Sequence, residues 1–434
     1  MSRTVRRRPA APVPALVSLL LLALAPAAWA QSGALPAAER LLYDGRAAAA
    51  ADILTDGLAV DPGDAPARLA LGAVQAMTAL ETLAQDAYRY GLGGGGIEEA
   101  GQMLGVAVPS NPQPEPVGYD DLRATLERFH AGLVAADETL APLAELIGTE
   151  AGRTLQWRVE LGRVRLDFDG DGVAGEPLSQ VLAQARRVRP ADTGDVADAI
   201  PIDADLGDAL WLRGYLNLIA ATLDAVLAYD AREAWDATAQ LFFPRAVTAI
   251  PYLAEPSEPR LGGFDAALLA DVVALIHLID LPVVDADRAA TALTRLRTTV
   301  AMSQASWRAI LAETDDGREW LPNPRQSGVV PGGPSGDPLA VEEEMVSSWL
   351  ELMDELDAIL AGERLVPYWR VTDGRGVNVR RVFLEPRAFD LILWIQGAAV
   401  QPYLEEGTLT SAEDWARIRR AFGGRFATFA FWFN

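Results

Sequence analysis

From Val341 to Ile359 the apolar residues Val341, Met345, Trp349, Leu352, Leu356 and Ile359 follow one another at steps of four, four, three, four and three. That spacing returns each apolar side chain to one face of a 3.6-residue helix and leaves Glu344, Glu351, Asp354 and Glu355 as a solvated acidic surface. The same recurrence runs through most of the chain, where alanine and leucine dominate and β-branched residues seldom alternate with polar ones. It predicts a mostly α protein, a helical bundle or repeat-like body. The main strand signal is near the end, where Leu365 to Val371 and Val377 to Phe383 flank the turn sequence Thr372-Asp373-Gly374-Arg375-Gly376. These two runs predict a small C-terminal β-hairpin. Alternating aromatics from Phe426 to Asn434 resemble a barrel strand, but a single such segment cannot close a barrel, and packing against the body is expected.

Half of the 434 residues are hydrophobic, enough for one large or two medium folded domains. The chain has no cysteine and no lysine, so its 37 basic residues are all arginine, and its two histidines are His130 and His277. Thiol nucleophiles, disulfides, thiolate metal sites, Schiff-base lysines and three-imidazole metal sites are therefore excluded. Carboxylate chemistry remains. With 60 acidic residues and a net charge of −23, the chain repels nucleic acid and anionic lipid and attracts hard cations and basic partners.

The first 30 residues read as a secretory signal peptide. Arg3 and Arg6 to Arg8 form a basic start, Ala15 to Ala28 an apolar stretch, and Ala28-Trp29-Ala30 a small-x-small cleavage triplet before Gln31. A periplasmic or secreted protein is expected, and loss of the four arginines takes the charge from −23 to −27. Without cysteine, such a protein must be held by its core. Two further apolar stretches, Tyr215 to Tyr229 and Ala266 to Val284, are interrupted by Asp224 and by Asp271, His277 and Asp280. They read as buried core helices, leaving no membrane span after cleavage.

Three glycine- and proline-rich breaks organise the rest: Gly93 to Gly96 followed by Val108 to Gly118, then Pro256 to Gly263, then Pro322 to Pro338. The expected units are a helical unit over 31–92, a linker over 93–118 that includes Gly93 to Gly96, a central helical body over 119–321, a loop over 322–338, and a C-terminal helix-plus-hairpin segment over 339–434.

Leu35 to Leu92 resembles the tetratricopeptide repeat. Taking Pro62 as the closing proline of a 34-residue unit, Ala50 and Leu54 occupy second-helix packing positions, Gly45 the turn between helices, and Leu71-Gly72 the packing pair of the next unit. Gln75 stands where an aromatic is usual and Gly57 where alanine is usual. The resemblance covers one full and one partial repeat, which implies helical hairpins; a peptide-binding array needs about three repeats.

The sequence Asp167-Phe168-Asp169-Gly170-Asp171-Gly172-Val173-Ala174-Gly175-Glu176-Pro177-Leu178 places carboxylates at alternate positions and glycine at the sixth. It resembles the EF-hand and dockerin type of calcium loop. The resemblance implies side-chain oxygens from Asp167, Asp169 and Asp171, the backbone carbonyl of Val173, and a sharp bend at Gly172, around a Ca2+ ion that takes six to eight oxygens. A regular segment over Thr154 to Leu166 is expected to lead in, and Pro177 to begin a helix running to about Arg187. The twelfth position, where the family has a bidentate glutamate, is Leu178. Either Glu176 closes the shell or a remote acid does, with Asp203, Asp205 and Asp208 as candidates. An incomplete shell implies weak structural binding, with Kd about 10⁻⁴–10⁻³ M.

For catalysis, His277 lies three residues before Asp280, on one face if the segment is helical, and could act as an Asp-oriented base; a satisfied core histidine is the plainer account. His130 has less support. Trp307, Trp320, Trp349 and Trp369 surround the third break, where Glu319 and Glu342 to Glu344 offer acids. A carbohydrate-active helical toroid with paired carboxylates is therefore the enzyme alternative, and tryptophan in a large helical core is its competitor. The expected function is non-catalytic: a calcium-stabilised helical scaffold that contacts an envelope or secreted protein.

Overall fold

The computed structural model describes residues 33–92, 109–175, 177–179, 200–254, 260–261, 264–329 and 341–411, with 413, 415, 416 and 420. The protein is mostly helical, as the three-and-four periodicity predicts. The leader, Gly93 to Gly96, Glu176 and the C-terminal aromatic segment lie outside the described residues.

The chain opens with α1 (Ala34–Tyr43), α2 (Ala47–Val60) and the long α3 (Ala65–Tyr90). Asp64 caps α3 by accepting a hydrogen bond from Ala67 N at 2.9 Å, and Pro66 fits its first turn because the backbone N–H that proline lacks would be unpaired there anyway. The next helix, α4 (Tyr119–Leu140), packs along α3. Gly72 makes that approach possible, since a Cβ there would run into the side chain of Leu140. Ala50 and Leu54 are fully buried on α2.

After the short α5 (Glu150–Thr154), strand β1 (Trp157–Glu160) pairs antiparallel with β2 (Pro201–Ala204), Trp157 opposite Ala204. The segment leads into α6 (Leu206–Leu227), which packs most extensively on α9 (Ala286–Ala312). Between them lie α7 (Arg232–Thr238), the two-residue strands β3 (Arg260–Leu261) and β4 (Phe264–Asp265), α8 (Ala266–His277) and β5 (Asp280–Leu281). One hydrophobic core joins α1 to α4, both strands of the first sheet, α6 and part of α9. A second core links α9 to α10 (Glu343–Ala361) through Trp307, Met345, Trp349 and Leu352. Glu344, Glu351 and Asp354 of α10 are exposed, as the periodicity predicts.

Two sequence expectations are corrected here. The C-terminal hairpin is reduced to one antiparallel bridge, Val366 to Val377. Its second run forms β6 (Arg375–Val377) and then helix α11 (Val379–Leu384), which starts because the Asn378 side chain accepts from Arg381 N at 3.2 Å. Strand β6 takes a more distant partner, β8 (Leu404–Glu406). Strand β7 (Phe389–Asp390) pairs with β5 and precedes α12 (Leu391–Gln396). The second correction concerns one of the two apolar stretches. The first, Tyr215 to Tyr229, lies mostly in α6, which is long and apolar enough to cross a membrane but packs against α4 and α9, as expected of a core helix. The second becomes α8, a short helix whose Leu269, Val273 and Ile276 are exposed. Among the described residues its main helical neighbours are α7 and α12.

Candidate metal centre

Among the described residues, two groups of three acids bring carboxylate oxygens within 4.8 Å of one another: Asp167 with Asp169 and Asp171, and Asp205 with Glu313 and Glu319.

The first group is the loop singled out by its sequence. The incoming arm is β1 followed by a 3-10 turn over Leu161–Arg163, in place of a regular segment; α5 ends at Thr154. Asp167 folds the loop around itself, its two carboxylate oxygens accepting from Gly170 N at 2.7 Å and Gly172 N at 2.9 Å. Asp171 accepts from Val173 N at 2.7 Å. Both glycines hold positive φ, 71° and 81°, a region costly for residues with a Cβ. The turn is therefore fixed by the glycines and by backbone amides that partly offset its negative charge. Partial burial and the charges of Asp171 and Asp167 push the Asp169 carboxyl up from its ordinary range.

The loop is anchored from beneath. Asp167 N donates to Glu81 Oε1 of α3 at 2.6 Å, and Gln85 Nε2 donates to the Asp167 carbonyl at 2.8 Å. The left-handed turn at Gly45, between α1 and α2, presses on Ala174 so closely that a Cβ at Gly45 would collide with it. Glu81 is buried, and that burial pushes its carboxyl up. It is an acid at the loop that the sequence did not single out, because it arrives from a helix 86 residues earlier. Glu176 lies outside the described residues, and the helical turn after the Arg165–Pro177 bridge is described at 178–179.

The three remote acids do not all serve as free ligands. Asp203 is buried and bound to Arg158, whose Nε and Nη2 donate to its two oxygens at 2.6 and 2.8 Å, with Arg318 3.5 Å away. Asp205 and Asp208 form a capping box at the start of α6, each side chain accepting from the other's backbone N at 3.2 Å. This box meets the last turn of α9 and the loop beyond it, bringing in Glu313 and Glu319. Gly207 permits the meeting: a Cβ there would lie 2.7 Å from Ile310 Cγ1 and 3.2 Å from Glu313 Oε1. Ser306 of α9 seals the contact by donating to the Gly207 carbonyl at 2.9 Å.

Burial dominates the chemistry of this second group. It pushes Glu313 up to about 10, helped by the charge of Asp205, which accepts its proton in a hydrogen bond. Glu319 is pushed up to about 7 by burial and by Asp205, Asp315 and Asp316, against a stabilising hydrogen bond from Gly317 N at 2.8 Å. Asp208 rises well above its ordinary value for the same first reason, and next through the Asp205 charge. The remaining Glu313 oxygen accepts from Gln326 Nε2 at 3.1 Å. Acids so placed carry protons at neutral pH or share a cation; full ionisation without one would leave like charges in a poorly solvated site.

The other candidates separate from both groups. His277 is exposed at the end of α8, and Asp280 lies beyond the helix in β5, so the two do not share a helical face. His130 Nε2 stands 2.9 Å from Asp224 Oδ1, close enough for an ion pair but off the hydrogen-bond axis, and Arg295 Nε donates to Asp224 Oδ2 at 2.9 Å. This is a buried bridge between α4, α6 and α9. Trp307 and Trp349 are core residues, and the exposed Trp369 sits beside Tyr368 and under Arg370. Trp320 packs its ring 5.7 Å from that of Trp211.

No known protein family, curated protein or solved structure matches the chain.

Proposed function

We propose that the protein is a divalent-cation-binding helical scaffold of the periplasm or cell exterior, without catalysis, that meets a protein partner of the envelope or secreted space. The observation that carries the reading is the presence of two groups of three carboxylates, each with its oxygens within 4.8 Å, set at joints of the helical frame. A hard cation takes oxygen donors, and Ca2+ tolerates irregular shells better than Mg2+. At the loop, Asp167, Asp169, Asp171 and the Val173 carbonyl would hold Ca2+, with Glu176 or Glu81 near enough in the chain or the fold to complete the shell. The ion would tie α3 and the α1–α2 turn to the strand that follows. The exposed apolar residues of α8 and α12, Leu269, Val273, Ile276, Ile392 and Ile395, support a protein-contact role, since such patches are costly on a monomer's surface.

Thermal unfolding in EDTA and then in millimolar Ca2+ tests this reading. A rise in Tm that Asp169→Ala reduces is expected; an unchanged Tm, or an equal rise in the variant, overturns binding at the loop. The carbohydrate-active alternative draws on Glu319, whose carboxyl at about 7 suits proton transfer. Turnover in a glycan screen, lost in Glu319→Gln, would replace the scaffold reading with it.

A further inference from the structure

A pocket of about 310 Å³, partly open to solvent, lies among α3, α4, α7, the turn after α7 and Leu275 of α8. Its walls are almost wholly apolar and rich in rings: Tyr90, Tyr119, Trp235, Phe242 and Phe243. These rings lean at one another without filling the space, Tyr119 to Trp235 at 6.4 Å and 50°, Trp235 to Phe243 at 5.6 Å and 43°. A concave, mostly apolar pocket of this size is the usual form of a small-molecule site, and its walls decide which occupant it suits.

Water is a poor one. The lining polar groups are engaged elsewhere: Thr238 Oγ1 donates to the Ala234 carbonyl at 2.6 Å, Trp235 Nε1 to the Val247 carbonyl at 3.1 Å, and Tyr119 Oη accepts from Ala231 N at 2.7 Å. A buried water needs two to four partners, and an apolar void of about 150 Å³ stays dry and takes a six-carbon ring. Charge is disfavoured as well. The one carboxylate in the wall, Asp86, is already neutralised by Arg128 Nη2 at 2.6 Å and bonded by Thr125 Oγ1 at 3.2 Å. A cation would have to displace Arg128, and an anion would face Asp86 in an apolar wall.

We propose that this cavity is a binding site for a compact, uncharged aromatic molecule of about twelve carbon atoms, twice the ring that half the volume accepts. The tilted aromatic walls offer edges and faces to a flat ligand, which an aliphatic chain cannot use. The site is independent of the carboxylate groups and of any ion they hold.

Calorimetric titration of the full chain with naphthalene, n-decane, 2-naphthoate and 1-naphthylmethylammonium tests the proposal. Naphthalene should bind and raise Tm, with the charged analogues and n-decane each at least tenfold weaker. Ala87→Leu, which fills part of the cavity, should weaken naphthalene at least tenfold without lowering Tm. Leu122→Ala, which enlarges it, should shift the preference toward anthracene and gives the answer if Ala87→Leu does not fold. No binding of naphthalene overturns the proposal; equal binding of n-decane overturns its aromatic character; unchanged naphthalene binding in Ala87→Leu, or in a folded Leu122→Ala with no shift toward anthracene, overturns its location.

Discussion

The two carboxylate groups solve the same electrostatic problem in opposite ways. In the loop, Asp167, Asp169 and Asp171 are neighbours in the chain and close to water, and their charge is offset locally by the backbone amides of Gly170, Gly172 and Val173. At the joint of α6 and α9, Asp205, Glu313 and Glu319 come from distant parts of the chain and are at least partly buried, and burial together with the Asp205 charge raises the carboxyls of Glu313 and Glu319. A contiguous acidic turn has its charge offset by its own backbone amides. A buried acidic joint must choose between a proton and a cation, so its state depends on pH.

That difference gives the largest expected effect. For an acid with a raised folded-state pKa, the native protein binds more protons than the unfolded chain, so stability falls as pH rises from the unfolded to the folded value. In EDTA, stability should therefore fall between pH about 4.5 and about 7 through Glu319, and go on falling toward pH 10 through Glu313. Each proton held only by the folded state contributes about 1.4 kcal/mol per pH unit. Denaturant titrations across this range measure it, and a flat profile would mean that the joint is already ionised.

Next in size, Glu313→Gln keeps the shape of the side chain and removes the proton requirement. At pH 8 without divalent ions it should stabilise the fold by about 2–4 kcal/mol, read from the denaturation midpoint. If millimolar Ca2+ abolishes that gain, the joint holds a cation; if the gain persists, it holds a proton alone.

Gly45→Ala probes the loop from below. The left-handed φ of 72° and the collision with Ala174 should cost about 1–2 kcal/mol in denaturant titration. The α6–α9 joint, elsewhere in the core, should keep its pH profile. The smallest effect would belong to the ion proposed at the loop. If its Kd is about 10⁻⁴–10⁻³ M, about 2 mM Ca2+ should stabilise by roughly 0.6–1.8 kcal/mol. Asp169→Ala should remove most of this in a Tm series, and should leave the fall in stability above pH about 7 in EDTA unchanged.

The contrast also explains what the sequence disclosed. Asp167 to Asp171 could be read directly because alternation and glycines at fixed offsets need no knowledge of packing. Asp205 and Asp208 were visible as acids ahead of a helix, but their partner Glu313 ends another helix, and only the close approach at Gly207 brings them together. Glu81 was hidden for the same reason. Helices showed through their periodicity, as α10 illustrates. The hairpin misled because Val377 to Phe383 has strand-like composition, whereas the Asn378 cap starts a helix. Apolar content alone also failed to separate α6 from α8, since burial is decided by neighbours that the segment itself does not contain.

The bridge at Asp224 carries a consequence for the order of events during synthesis. Helix α6 is among the most apolar in the protein, yet its buried Asp224 is neutralised by Arg295, 71 residues later. Until Arg295 has been made, closing the core around α6 would bury that carboxylate with His130 beside it but without its arginine, so the growing chain has reason to leave that helix wet. A nascent chain ending before Arg295 should remain protease-sensitive along α6, and the same chain extended through α9 should become protected. The core is in this sense locked from its later half, by one arginine that arrives last.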